Sequence, residues 1–332
     1  MRFVIPIIVL VMIGFWLPMS QTFNDMTWIY YSLLEKTGIK SSHIPKNIPA
    51  DRYNDLLALY PASPDKKENV LRIMSFNVRF DAEEDKGEKN WKKRLPRIIE
   101  MIRFYKPDII GTQELLNNQR KDLIYHLPEY NEFGESRGKD YLFGLVPTGE
   151  FNSIFYKKKR LKLLKHNTFW LNKNKQRGKI GWDAMDPRIS TWGEFFDKAT
   201  QKHFWYFNTH LDHYGKNARI NGIQLIIDTA NKKKDFEGDL IFIGGDFNDY
   251  QGEVMASARK QGFTDTIDLT ESKEGPRGTY TSWGKPKRRI DFILINQKDL
   301  PITRHVTVDH EDRFEKPLSD HLPIFIDIQL IQ

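Results

Sequence analysis

Ile241-Phe242-Ile243-Gly244-Gly245-Asp246-Phe247-Asn248 decides how this chain is read. The apolar run has the composition of a buried strand. Two glycines follow, and then a carboxylate and an amide two positions apart. Side chains two apart on a strand point the same way, so Asp246 and Asn248 are expected to face one spot. The glycines would let a backbone or a ligand come close. Taken alone, Asp-x-Asn caps a turn. Several other strand ends in the chain carry polar groups that want the same partner, and these favour a site.

Working outward, Leu71 to Val78 alternates apolar and polar residues like a strand and brings Asn77 to its end. Trp91, Leu95, Ile98, Ile99 and Ile102 keep helical spacing, with Pro96 near the start of the run and Pro107 ending it. Asp108 to Glu114 reads as the next buried strand, which suggests a βαβ crossover. A helix is expected over Asn117 to Leu127. Strands are expected at Leu142 to Val146, Ser153 to Tyr156 and Leu161 to Trp170, with Lys157 to Arg160 as a solvated hairpin turn. Arg188 to Phe195 and His203 to Thr209 read as an antiparallel pair ending in Asn208-Thr209-His210-Leu211-Asp212-His213. Helices over Ala218 to Asn231 and Glu253 to Lys260 flank the Asp246 strand. Strands at Arg288 to Ile295 and Ile324 to Ile328 complete the chain, the latter led by Leu318-Ser319-Asp320-His321-Leu322-Pro323.

The chain has 332 residues, 39% of them hydrophobic, enough to bury a large core. Its net charge of +7 leans towards anionic partners. It has no cysteine, which excludes disulfides, thiolate metal sites and a cysteine nucleophile. Arg2 followed by an apolar run over residues 3–19 has the pattern of a signal peptide or signal anchor, so 1–22 is assigned to that role. Residues 23–70, punctuated by Pro45, Pro49, Pro61 and Pro64, read as an extension or tether, and 71–332 as the catalytic domain. The expected location is outside the cytoplasm: secreted, periplasmic or membrane-anchored, with membrane contact through residues 3–19. A monomer is expected.

The strand ends collect Asn77, Glu114, His210, Asp246 with Asn248, Asp291, and Asp320 with His321. Oxygen donors without thiolates suit a hard cation, Mg2+ or Mn2+. Here the sequence resembles the endonuclease/exonuclease/phosphatase superfamily, which includes pancreatic deoxyribonuclease, apurinic endonucleases and neutral sphingomyelinases. The matching pieces, in the family's order, are Ser75-Phe76-Asn77, Thr112-Gln113-Glu114, Asn208-Thr209-His210-Leu211, Gly245-Asp246-Phe247-Asn248, Arg289-Ile290-Asp291-Phe292 and Ser319-Asp320-His321-Leu322-Pro323.

The resemblance implies a four-layer α/β sandwich, two packed mixed sheets flanked by helices, and metal-dependent cleavage at phosphorus. By the same resemblance Glu114 is the principal metal ligand, helped by Asn77 and Asp320. Asp246 orients water or binds a second ion, Asn248 holds a phosphate oxygen, and His210 and His321 flank the scissile phosphate. Asp291 orients His321. Which histidine is acid and which base stays open. Glu150 is expected to pair with His210, and Arg188 to clamp phosphate, because guanidinium binds it bidentately. Lys285, Lys287, Arg288 and Arg289 either steer a polyanion or form a solvated face.

Three functions follow from these readings. Charge favours a nuclease acting on nucleic acid. The same chemistry on a phospholipid head group or a small phosphorylated metabolite is the alternative. A non-catalytic binding module on this fold is the third.

Overall fold

The computed structural model describes residues 66–330, apart from 139–140, 143–145, 148, 234–238 and 310–315. The expected signal or anchor segment and nearly all of the 23–70 extension lie outside the described residues. Among those described, no helix is long and apolar enough to cross a membrane.

In chain order the elements are β1 (Val70–Asn77), α1 (Trp91–Tyr105), β2 (Ile109–Gln113), α2 (Asn117–His126), β3 (Tyr130–Phe133), β4 (Tyr141–Leu142), β5 (Val146–Pro147), β6 (Ile154–Lys157), β7 (Leu161–Trp170), β8 (Ile189–Asp197) and β9 (Lys202–His210). There follow α3 (Lys216–Lys233), β10 (Leu240–Asp246), α4 (Glu253–Lys260), β11 (Thr264–Asp265), β12 (Lys273–Glu274), β13 (Asp291–Ile295), β14 (Ile302–Thr307) and β15 (Ile324–Gln329). One sheet has the order β12-β14-β15-β1-β2-β6-β3 and the other β11-β13-β10-β9-β8-β7. Both are mixed: β1 runs parallel to β2, and β9 to β10, while most other neighbours are antiparallel. The ribbon of β4 and β5 is a separate small pairing.

Alternation along the strands makes the layers. Leu71, Ile73, Ile109, Phe204, Tyr206, Phe242, Ile293 and Ile326 meet in a core between the sheets. Their neighbours face out: Met74 and Phe76 pack on Ile98 and Ile102 of α1, and Trp205, Ile241 and Ile243 pack on Ile223 and Ile227 of α3 and Val254 of α4. Helix, sheet, sheet and helix are the four layers expected. The β1–α1–β2 crossover is parallel, as expected. Its helix opens with the Asn90 side chain accepting from Lys92 N, and closes at Lys106 in a left-handed conformation.

The turn Lys157–Arg160 differs from the expected hairpin. It carries the chain from one sheet to the other, because β6 and β7 belong to different sheets. Lys158 and Lys159 are exposed, but Arg160 is committed. Its Nε and Nη2 donate to Asp197 Oδ1 at 3.0 Å and Oδ2 at 2.7 Å, and its Nη1 to Asp108 Oδ2 at 3.2 Å. Asp108 leads into β2 and Asp197 ends β8, so one guanidinium ties the two sheets where the chain crosses. A charge run does not reveal which of its members has a buried partner.

Gly245 has φ +152°, and a Cβ placed there would lie 1.9 Å from the Thr209 carbonyl oxygen on the adjoining strand. The close approach expected at these glycines is thus that of a neighbouring backbone. Gly245→Ala is expected to destabilise the fold by about 1–3 kcal/mol, read as a lower urea midpoint.

Candidate active site

The polar strand ends are the continuation of the inter-sheet face. Leu240 and Phe242 point into the inter-sheet core, so Gly244 and Asp246 do as well. By the same count Asn77 follows Leu71 and Ile73, His210 follows Phe204 and Tyr206, and Asp291 shares the face of Ile293. At this end of the sandwich the core becomes polar.

A layer of amides and hydroxyls supports the site from beneath and links the sheets. Gln113 Nε2 donates to Asn208 Oδ1 at 2.7 Å, and Asn208 Nδ2 donates to the carbonyls of Thr112 at 2.8 Å and Ser153 at 3.0 Å. Asn208 is wholly buried on β9, and its partners belong to the other sheet. Asn208 has both ends of its amide paired in this way, which fixes the register of one sheet on the other. Neither residue carried a role in the sequence analysis.

Two departures from regular strand geometry complete the constellation. Alternation alone would turn Glu114 to the helix side of its sheet, but its φ is +60°. Its Oε1 instead accepts from Asn77 Nδ2 at 3.0 Å and its Oε2 from Phe80 N at 3.2 Å. Asn248 is also left-handed, at φ +49°. The expectation that Asp246 and Asn248 meet one spot holds, by a tight turn and not by the pleat. Asp246 Oδ1 accepts from Asn248 N at 3.0 Å, while Asn248 Nδ2 contacts His210 Nε2 at 3.2 Å and donates to Leu211 O at 3.0 Å. Asn tolerates this conformation well and Glu does not, so backbone strain is concentrated at the site.

Asp246 is central. It is 1% exposed, and its Oδ2 accepts from Asn77 Nδ2 at 3.0 Å. The same oxygen lies 3.6 Å from His210 Nε2 and 3.7 Å from His321 Nε2. Burial pushes its carboxyl up to about 7, with the Asp291 charge adding to the effect and His321 opposing it. His321 Nδ1 sits 2.9 Å from Asp291 Oδ2. Burial disfavours its charged form, yet Asp291 and Asp246 together hold it well above the ordinary histidine value. His210 goes the other way: burial, then Arg188, lowers it well below that value. The two histidines are thus pushed in opposite directions.

The remaining expected residues lie around this centre. Asp320 is 8% exposed, and burial followed by the Glu114 charge raises its carboxyl. Glu150 Oε2 is 3.9 Å from His210 Nδ1, while its Oε1 accepts from Arg137 Nη2 at 2.6 Å. Burial lifts Glu150 to about 7. Arg137 was not singled out from sequence, and nothing local distinguishes it from other surface arginines. Arg188 Nε donates to Asp212 Oδ2 at 3.2 Å and Nη2 to His213 Nδ1 at 2.9 Å. Arg188 Nη1 is buried without a partner among the described residues. The basic run divides: Arg289 is bound to Asp265, whereas Lys285, Lys287 and Arg288 are exposed.

The donor set fits a divalent cation. Ligand atoms of Glu114, His210 and Asp246 lie within 4.8 Å of one another, as do those of Asp246, Asp291 and His321. Asp320 is in neither set. Asn77 turns its NH2 to Glu114 and Asp246, and its oxygen accepts from Arg79 N at 3.0 Å, so it bridges the carboxylates. Burial raises the carboxyls of both Asp246 and Asp320, and a hard cation beside them would favour their charged forms.

Comparison with known proteins agrees with this fold. The profile of the Endonuclease/Exonuclease/phosphatase family matches residues 74–321. An uncharacterized protein of Acanthamoeba polyphaga mimivirus is 24% identical over 266 residues, which are 71% of this chain and 91% of that protein. Among solved structures, an endonuclease/exonuclease/phosphatase from Bacteroides vulgatus is 32% identical, with a TM-score of 0.72 over 79% of this chain and 99% of that one. A mannosyl-6-phosphatase from Bacteroides thetaiotaomicron is 28% identical, with a TM-score of 0.70 over 78% and 99%. TDP2 of D. rerio, at 18% identity and a TM-score of 0.59 over 78% of this chain and 98% of that one, shares the fold. The chain belongs to the endonuclease/exonuclease/phosphatase family of metal-dependent phosphoester hydrolases.

Proposed function

We propose that this chain is a magnesium-dependent hydrolase of small phosphorylated metabolites, with sugar phosphates as the first class to test, acting outside the cytoplasm. The carrying observation is the depth of the groups that would meet phosphate. Arg188, Asn248 and His321 are each 4% exposed and His210 is 7% exposed. A site this enclosed suits a terminal phosphate on a small molecule better than a link within a long polymer. The likeness to the Bacteroides thetaiotaomicron mannosyl-6-phosphatase supports the same class. The location rests on the basic and then apolar pattern of residues 1–19.

In this reading Glu114 and Asp246 hold the cation, with Asp320 and Asn77 adding charge and orientation. A bound magnesium ion supplies charge neutralisation at the phosphoryl oxygens. Asp246, 3.6 Å and 3.7 Å from the two histidines, is the carboxylate placed to receive the proton of the attacking water. His321, held cationic by Asp291, delivers a proton to the leaving oxygen. Arg188, through its unpartnered Nη1, and Asn248 bind non-bridging oxygens, and neutral His210 hydrogen-bonds beside them.

Nucleic acid is the second reading, favoured by exposed Lys285, Lys287 and Arg288 at the rim. The test is hydrolysis of mannose 6-phosphate, a generic phosphodiester, sphingomyelin and supercoiled DNA, each with magnesium and with chelator. Phosphate release from the sugar phosphate, lost with chelator, is the expected result. Nicking of DNA without sugar-phosphate turnover would transfer the assignment to a nuclease. Turnover of sphingomyelin alone would transfer it to the lipid class.

A further inference from the structure

We propose that Arg137 binds a third non-bridging oxygen of the substrate phosphate, beside Arg188, and so selects a terminal phosphomonoester over a diester. The inference deepens the reading above and rests on it for the substrate class.

Three segments of chain converge beside His210 Nδ1. The Ile189 carbonyl accepts from Asn152 Nδ2 at 2.9 Å and from Thr209 Oγ1 at 3.0 Å, which fastens the neighbours of Arg188, Glu150 and His210 to one another. Glu150 Oε2 then lies 3.9 Å from His210 Nδ1, and its Oε1 accepts from Arg137 Nη2 at 2.6 Å. The Arg137 backbone is held on both sides. Its N donates to Glu150 O at 2.8 Å, and its carbonyl accepts from Trp170 Nε1 at 3.1 Å. Two guanidinium groups thus reach one corner of the site, each paired on one edge and open on the other. Arg188 commits Nε to Asp212 and Nη2 to His213, and Arg137 commits Nη2 to Glu150. The Nη1 atoms of both are buried and make no hydrogen bond among the described residues. Asp186 Oδ2 stands 3.7 Å from Arg137 Nη1, too far to be its hydrogen-bond acceptor.

A buried N–H without an acceptor carries the cost of its desolvation, and a charged donor more so. Two such donors in one corner call for an anion with several oxygens. The count of oxygens decides which anion. A phosphodiester has two non-bridging oxygens and one negative charge. A terminal phosphate has three, with a second charge near neutral pH. Arg188 and Asn248 answer to two oxygens in the reading above. Arg137 Nη1 is the donor left for the third, and its charge matches the second one. A small phosphomonoester meets all three donors. A phosphate within a nucleic-acid backbone, or one linking two groups in a lipid, leaves the Arg137 donor buried and unmet.

The test is calorimetry on the full chain with magnesium at about pH 8, where inorganic phosphate carries two charges and dimethyl phosphate one. Wild type is expected to bind inorganic phosphate more tightly than dimethyl phosphate. Arg137→Met removes the charge and the donor while keeping an unbranched side chain. It should lower the affinity for phosphate about tenfold and that for dimethyl phosphate by less than about twofold. KM for mannose 6-phosphate should rise by a factor similar to the first. Because this variant leaves Glu150 without its partner, the second variant combines Arg137→Met with Glu150→Gln, so that both charges go together. It should show the same loss of preference. Equal affinity of wild type for the two anions, or binding of neither, would overturn the proposal. So would an equal loss for both anions in Arg137→Met, or a wild-type preference in the double variant. If wild type hydrolyses none of the phosphoesters tried, yet its preference for phosphate disappears with Arg137, the function reading fails and the anion site stands.

Discussion

Replacing His321 with alanine is expected to lower turnover by roughly 10²- to 10⁴-fold. The side chain is enclosed, and its Nδ1 is fastened to Asp291 at 2.9 Å while its Nε2 faces Asp246 at 3.7 Å. Burial alone would strip its proton, but the two carboxylates override burial and hold it well above the ordinary value. It can therefore act as an acid at neutral pH, and alanine leaves nothing in its place. The sign of the pH dependence follows from this. The working form is protonated, so turnover should fall as pH rises through the raised value, giving an alkaline limb above about 6.5. The charge also bears on stability. A folded value above the unfolded one contributes stability that is full below about 6.5 and is lost as pH climbs through the folded value. Asp291→Asn should move the alkaline limb of the rate profile to lower pH, because it removes the main charge that favours the cation. A pH–rate profile of both variants checks this. Wild-type turnover in His321→Ala would remove it from the acid role.

Glu114→Ala is expected to cost about 10³-fold in turnover and to weaken magnesium or manganese binding in parallel. The reasoning is electrostatic. Burial pushes Asp246 and Asp320 towards their neutral forms, whereas Glu114 is half-buried, has its two oxygens fixed by Asn77 Nδ2 and Phe80 N, and shares a set of possible ligand atoms with His210 and Asp246. Its left-handed backbone supports the same view, since strain at a non-glycine strand end persists where the surroundings enforce it. Titration of Mn2+ by calorimetry, beside kinetics over a magnesium series, separates the two effects. A variant that binds the ion as wild type does yet turns over slowly would make Glu114 a positioning group and pass the principal ligand role to Asp246.

Much of this was legible along the chain. A buried strand states its inner face every second residue, so Leu240, Phe242 and Asp246 declare their common side without help from any distant segment. The helix at Trp91–Tyr105 likewise follows from its own spacing and from the proline that ends it. The order of the polar strand ends was enough to identify the family, and that family's fold is the one observed.

Other features were not legible, each because it depends on what another part of the chain supplies. The charge run at Lys157–Arg160 looked solvated, but Asp108 and Asp197 arrive from two different sheets to bind its last member. Glu114 reaches the site through a left-handed residue that reverses the alternation a strand pattern predicts, and Asn248 through a left-handed turn and not the pleat. The Gln113–Asn208 link and the Arg137–Glu150 pair join single polar residues with no periodic signature. Sequence by itself pointed to most of the strands and their inner faces through local periodicity, and to the family through the order of its polar strand ends, while β3 and β14 were not among the expected strands. Only the tertiary structure decided which histidine is pushed towards its charged form, which amide faces which ring and which arginine nitrogen is left unpartnered, because those depend on burial and on neighbours that meet only when the two sheets pack.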